Sequence, residues 1–159
     1  MNSRAAALLA RAGGTRAGVW SIQHVLTPAV RWLYLRGGGR GLPRNILLLT
    51  TTGRRTGELR TTPVFYLRDG DRLVLCNVNP GFERPNPWTL NLRAHPLVHV
   101  RLRGDTGRFR AREATESEAA EYWPRLVRIW PAYQTFFQRG GARSVFVLEG
   151  TEGPESEQT

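Results

Sequence analysis

The sequence contains no lysine, so all 23 of its basic residues are arginine. Its single cysteine, Cys76, excludes an intrachain disulfide framework and suits a reducing compartment. No apolar run approaches the roughly 20 residues that cross a bilayer as a helix. Acidic residues are absent before Glu58, and that stretch holds nine arginines. Residues 58–159 hold 14 arginines against 13 acids, so the net charge of +10 comes from the N-terminal third. Genomic composition accounts for arginine in place of lysine, but not for the missing acids. The asymmetry points to an anionic partner: a phosphate-bearing ligand, a membrane surface or nucleic acid.

Several site classes are also missing. There is no Gly-x-Ser-x-Gly elbow, no Gly-x-Gly-x-x-Gly fingerprint and no P-loop, which argues against a Rossmann domain. His24, His95 and His99 show no ligand grouping beyond the four-residue step His95/His99, which straddles Pro96. With one cysteine there is no zinc pattern. Cys76 falls inside an apolar strand, where a thiol is an inert small hydrophobe.

What is present suits one domain of 159 residues, 40% hydrophobic, able to build its own core. Residues 1–40 read as a basic N-terminal extension. Its first 15 residues are too broken for a secretory signal. Residues 17–35 read as an amphipathic helix with Val19, Ile22, Leu26, Val30 and Leu33 on one stripe and a kink at Pro28. Such a helix packs on its own domain or lies on an anionic membrane. Residues 41–150 form the main domain, and the acidic tail 151–159 is expected to be disordered.

From Asn45 the period becomes that of strands: 45–52, 59–67 and 72–78, with a turn at Asp69-Gly70. The segment 79–87 carries three prolines and cannot lie in a central strand. A short helix over 88–94 follows, then strands 97–103 and 106–113 around Gly104-Asp105. Thr115 and Glu118 have capping-box spacing and open a helix to about Ile129. A further turn of helix, 132–138, precedes a last strand, 143–149. Six antiparallel strands with helical insertions suggest an α+β, mainly β chain closed into a barrel, whose mouth can take a ligand.

Three groups can carry chemistry. Thr50–Gly57 (TTTGRRTG) places Arg54, Arg55 and Thr56 in a turn with glycine on both sides. It reads either as a solvated hairpin tip or as an anion cradle of guanidiniums, hydroxyls and backbone N–H groups. Asn86-Pro87-Trp88 reads as a helix cap, with Asn86 as capping residue and Pro87 at the first position. Trp130, Tyr133 and Phe136, at steps of three, share a helical face that either packs a core or walls a flat apolar pocket. Tyr133 brings a hydroxyl that can donate a hydrogen bond or a proton.

The order and spacing of Leu47–Gly57 (LLLTTTGRRTG), Tyr66–Gly70 (YLRDG), Asn86–Leu92 (NPWTLNL), Glu121–Pro124 (EYWP), Pro131, Tyr133 and Gln134 resemble the deazaflavin (F420)-dependent nitroreductase and quinone reductase family of actinobacteria. The resemblance covers about residues 42–149. It implies a split β-barrel of the flavin-binding type, with reduced coenzyme F420 rather than FMN as hydride donor. It implies transfer to a quinone or nitro-aromatic acceptor, with a non-catalytic carrier of F420 as the alternative. By position it implies cofactor contacts from Arg54, Arg55, Thr56, Thr62, Pro63, Val64, Phe65, Asn77, Val78, Asn79, Gly81, Asn86 and Trp88. It also implies a substrate pocket of Trp130, Tyr133 and Phe136, with Tyr133 as candidate proton donor. Relatives carry Ser-Lys-Gly-Gly where this chain has Val78-Asn79-Pro80-Gly81, and tyrosine where it has Trp130 and Phe136. The loop change removes a positive charge from the cofactor site, and the two aromatic changes favour quinones over bicyclic nitroimidazoles. A cytoplasmic protein, peripheral to the membrane if the N-terminal helix lies on it, is expected, with no metal and no nucleic acid.

Overall fold

The computed structural model describes residues 27–38, 40, 42–79 and 86–151. Its elements in order are α1 (Thr27–Gly37), β1 (Ile46–Thr52), β2 (Leu59–Asp69), β3 (Arg72–Val78), α2 (Pro87–Ala94), β4 (Leu97–Leu102), β5 (Asp105–Glu113), α3 (Glu116–Ile129), α4 (Ala132–Gln138) and β6 (Arg143–Gly150). The six strands close in the order β1-β2-β3-β6-β5-β4, every pair antiparallel. The expected barrel is therefore present, and its strand count matches.

The two-residue period of a strand explains the layers. Leu47 and Leu49 of β1, Leu73 and Leu75 of β3, and Phe146 and Leu148 of β6 point into the barrel and meet Trp88 and Leu92 of α2. The alternate residues face outward but are covered as well. Val74, Cys76, Val78, Val145 and Val147 lie under Tyr122 and Leu126 of α3 and Tyr133 and Phe136 of α4. Ile46 and Leu48 lie under Tyr34 of α1. Strands buried on both faces read as continuous apolar runs, as NILLL and RLVLC do.

Some local expectations change. Only residues from Thr27 onward of the N-terminal helix are described; Val19, Ile22 and Leu26 fall outside them, as does the tail from residue 152. Pro28 lies in the first turn of α1, where a missing N–H costs nothing, and not at a kink. Val30 and Tyr34, four apart, face the barrel, whereas Leu33 is exposed. The hairpin turns also shift by one residue. Asp69 pairs with Arg72 and Leu102 with Asp105, so the loops are Gly70-Asp71 and Arg103-Gly104. Arg103 itself takes a positive φ of 51°. The capping box is present: Thr115 Oγ1 accepts from the Glu118 N–H at 3.2 Å, and Glu118 Oε2 accepts from the Thr115 N–H at 2.9 Å.

Candidate active site

The barrel is split between β2 and β3. Their pairing runs from Asp69↔Arg72 to Tyr66↔Leu75 and stops there. Below that point β2 pairs only with β1, from Phe65↔Ile46 to Leu59↔Thr52. β3 continues from Cys76 to Val78 against β6 alone. Pro63, which has no N–H to give, sits on this stretch of β2, paired with β1 and open on the β3 side. The split brings Thr62, Pro63, Val64 and Phe65 on one lip opposite Asn77, Val78 and Asn79 on the other. The Asn79 N–H donates to the Ala142 carbonyl at 3.3 Å, and a Cβ on Gly141 would stand only 2.0 Å from the Asn79 carbonyl oxygen. Gly141 thus lets this lip fold tightly over the α4–β6 connection. Gly81 lies outside the described residues.

The arginine turn joins β1 to β2 at the same end of the barrel. Gly53 N–H donates to the Glu58 carbonyl and Gly57 N–H to the Gly53 carbonyl, each at 2.8 Å. Gly57 takes a φ of +74°, which glycine adopts without strain. Arg54, Arg55 and Thr56 are exposed, and among the described residues neither Arg54 nor Arg55 has a carboxylate within ion-pair distance. Arg60 is spoken for, paired with Glu58 at 3.1 Å.

A residue outside the expected set fixes this turn. Asn91 of α2 is buried, its Oδ1 accepting from the Arg54 N–H at 3.1 Å and its Nδ2 donating to Thr51 Oγ1 at 3.1 Å. The signal was an asparagine on the apolar face of a short helix beside Trp88 and Leu92, since a buried amide needs partners. Asn86 stands at the N-cap position of α2, with Pro87 first, but its side chain makes no cap bond. Instead Thr89 Oγ1 donates to the Asn86 carbonyl at 2.7 Å.

The aromatic residues form a stack against the β2 lip. Trp130 caps the C-terminus of α3 rather than lying on α4, yet its ring meets all the expected neighbours. It stacks on Phe65 with centroids 5.5 Å apart and planes 26° from parallel. Tyr133 and Phe136 meet it edge-on at 4.9 and 5.7 Å. Only Phe65 and Trp130 are partly accessible; Tyr133 and Phe136 are buried behind them.

Burial also alters the assigned roles. Val64, Val78 and Trp88 point into core clusters, so they shape the site through packing and backbone. The Tyr133 hydroxyl donates to the Cys76 carbonyl at 3.2 Å inside the protein. Burial raises its pKa well above the ordinary tyrosine value. That geometry makes Tyr133 a structural anchor and disfavours it as the proton donor. The Cys76 thiol is pushed up to about 12 by burial and stays protonated, as an inert core thiol should. No group of three or more metal-ligating side chains occurs among the described residues.

The donor set fits a phosphate-bearing, flat cofactor lying along the seam: two guanidiniums without carboxylates and glycine-flanked N–H groups at its open end, and an aromatic face at its closed end beside Tyr66. The relatives agree. Over 107 residues, 65% of this chain and 90% of the relative, it is 28% identical to Rv3178 of Mycobacterium tuberculosis, provisionally named an F420H(2)-dependent quinone reductase. It is 41% identical over 56 residues to the F420H(2)-dependent quinone reductase Rv1261c of the same species, a match covering 35% of this chain and 38% of that one. Among solved structures it is similar to an F420-H2 dependent reductase (FDR-A), with a TM-score of 0.60 and 26% identity over 67% of this chain and 95% of that one. The family model for F420H(2)-dependent quinone reductase matches residues 28–150, and the chain belongs to that family of split-barrel oxidoreductases using F420.

Proposed function

We propose that this chain carries hydride from reduced F420 to a quinone bound against the Phe65–Trp130 stack. The observation that carries the reading is the seam between β2 and β3, with unmatched Arg54 and Arg55 at its end. When bound, F420 supplies the hydride; the protein supplies position and dryness. Arg54, Arg55 and Thr56 hold the phosphate of the cofactor, and Asn91 keeps their turn in register. Thr62–Phe65 and Asn77–Asn79 flank its ring. Trp130 and Phe65 offer a flat apolar surface to the acceptor, which suits a quinone; a nitro-aromatic is the second acceptor class for the same surface. Since Tyr133 gives its hydrogen bond to Cys76, the proton that completes the quinol comes from water.

The exposed face of α1 supports a location at the membrane surface. It exposes Trp32, Leu33 and Leu35 beside Arg31 and Arg36, and the Arg36 guanidinium lies 5.1 Å over the Trp32 ring. An aromatic, cationic edge of this kind suits a cytoplasmic protein resting on an anionic membrane, near a lipid quinone. No described helix is long and apolar enough to cross a membrane.

Titration with F420, with FMN in parallel, read by tryptophan quenching, tests the reading. Saturable binding of F420 and not of FMN is expected. In the Arg54→Gln/Arg55→Gln variant the affinity should fall by about two orders of magnitude or more, from about 1.5–3 kcal/mol for each of two charged hydrogen bonds lost. Equal binding of FMN, or unchanged F420 affinity in the folded double variant, contradicts it.

A further inference from the structure

A second cationic cleft lies at the other end of the β1–β2 hairpin. It measures about 420 Å³ and is lined by Arg44, Asn45, Tyr66, Leu67, Arg68, Arg103 and Ile129. The seven residues of β1 separate Arg44 from the Arg54–Arg55 turn, a span of about 20 Å at strand rise. The cleft is therefore distinct from the proposed cofactor phosphate site.

Its charge is unbalanced. Arg72, Arg93, Arg112, Arg125 and Arg143 each reach a carboxylate. Among the described residues, Arg44, Arg68 and Arg103 do not. Asp69, next to Arg68 in the chain, is turned away: Tyr122 and Arg125 hold its carboxylate at 2.8 and 3.1 Å. Three arginines and no acidic residue line one cleft, which favours an anion there.

The backbone under them is held. The Tyr66 hydroxyl donates to the Arg44 carbonyl at 3.3 Å, and the Tyr66 N–H to the Asn45 carbonyl at 2.9 Å. Arg125 Nη2 donates to the Arg68 carbonyl at 3.1 Å. The Arg103 N–H donates to the Tyr34 hydroxyl at 2.8 Å, which ties this corner to α1. Leu67 and Ile129 add an apolar floor.

We infer that this cleft binds a phosphate ester with an apolar body, its oxygens taken by Arg44, Arg68 and Arg103. Guanidinium forks match phosphate oxygens in pairs, and three of them suit a multiply charged group better than a single carboxylate. The ester is either a soluble metabolite or the headgroup of an anionic lipid. The Arg103 corner of the cleft is tied through Tyr34 to α1, whose Trp32 is exposed, and this makes a lipid headgroup one of the two sources.

Titration of the 159-residue chain with inorganic phosphate, followed through the arginine Nε–Hε resonances, tests the site. Saturable shifts at Arg44, Arg68 and Arg103 are expected. In the Arg44→Gln/Arg68→Gln variant the half-saturating concentration should rise about tenfold or more. Its F420 affinity should not change, which separates this site from the reading above. Sedimentation with phosphatidylcholine vesicles, with and without phosphatidic acid, then assigns the source. Loss of binding to the acidic vesicles in the variant means a lipid headgroup. Retained vesicle binding with weakened phosphate binding means a soluble ester. Shifts that never saturate, or phosphate affinity unchanged by the double substitution, overturn the site.

Discussion

Asn91 accepts a hydrogen bond from the backbone of Arg54, 37 residues earlier in the chain, at 3.1 Å. Through its other amide atom it holds the buried Thr51 hydroxyl. One side chain thus binds the arginine turn to both a strand and a helix of the barrel. Asn91→Ala strands the Thr51 hydroxyl and frees the turn. Stability should fall by about 1–3 kcal/mol in urea unfolding. The F420 dissociation constant should rise about tenfold, because a loosened turn must be reordered on binding. Lost stability with unchanged F420 affinity would reduce Asn91 to a packing role.

The stack of Phe65 on Trp130 is the surface proposed for the acceptor. Trp130→Ala removes a ring that also supports Tyr133 and Phe136. The KM for menadione should rise about tenfold or more, from lost aromatic contact worth about 0.5–1.5 kcal/mol beyond its buried area. The dissociation constant for F420 should move much less. A larger loss in F420 binding than in acceptor KM places the ring against the cofactor instead.

Tyr133→Phe separates an anchor from an acid. Its hydroxyl is committed to the Cys76 carbonyl. Loss of that bond should cost about 0.5–1.5 kcal/mol of stability and leave kcat within about tenfold of the parent. A general acid would cost about a hundredfold or more in kcat, with little effect on stability.

The barrel was legible because its strands announce themselves twice, by apolar runs such as NILLL and by turn residues between them. The loop is Arg103-Gly104 and not Gly104-Asp105, and Arg103 takes a φ of 51° that arginine rarely adopts and that its residue type does not signal. The Arg54–Arg55 turn was legible as an unusual local run of residue types. Asn91 was not, since its partners lie 37 and 40 residues away and only the closed barrel brings them together. Spacing alone grouped Trp130, Tyr133 and Phe136, and the three do meet. It could not tell which of them faces outward, because that depends on which strand lies beneath the helix. The burial of Tyr133 and its bond to the Cys76 carbonyl are visible only in the folded chain.

The start of α3 carries a pH signature. Glu118 is held down to about 2, first by the Arg112 side chain and then by the Thr115 N–H of the capping box. A carboxyl depressed in the folded state stabilises fully above its ordinary value of 4.5. Its contribution is lost as pH falls from there toward about 2. Glu118→Gln keeps a capping side chain but loses the charge. Its stability should therefore differ from the parent's at pH 6 and converge on it at acid pH, as read by thermal melts. A constant difference across that range would show that charge is not what holds this helix start.

The central claim is hydride transfer at the β2–β3 seam, and the most direct measurement is single turnover. Reduced F420 bound to the protein is mixed with menadione under anaerobic conditions, and both absorbances are followed. The account predicts that reduced F420 is oxidised in step with quinol formation, one for one. It also predicts that the rate collapses when Arg54 and Arg55 are both replaced by Gln at subsaturating cofactor. F420 that binds tightly yet stays reduced in the presence of quinone would contradict the account and leave a carrier of the cofactor in place of an enzyme.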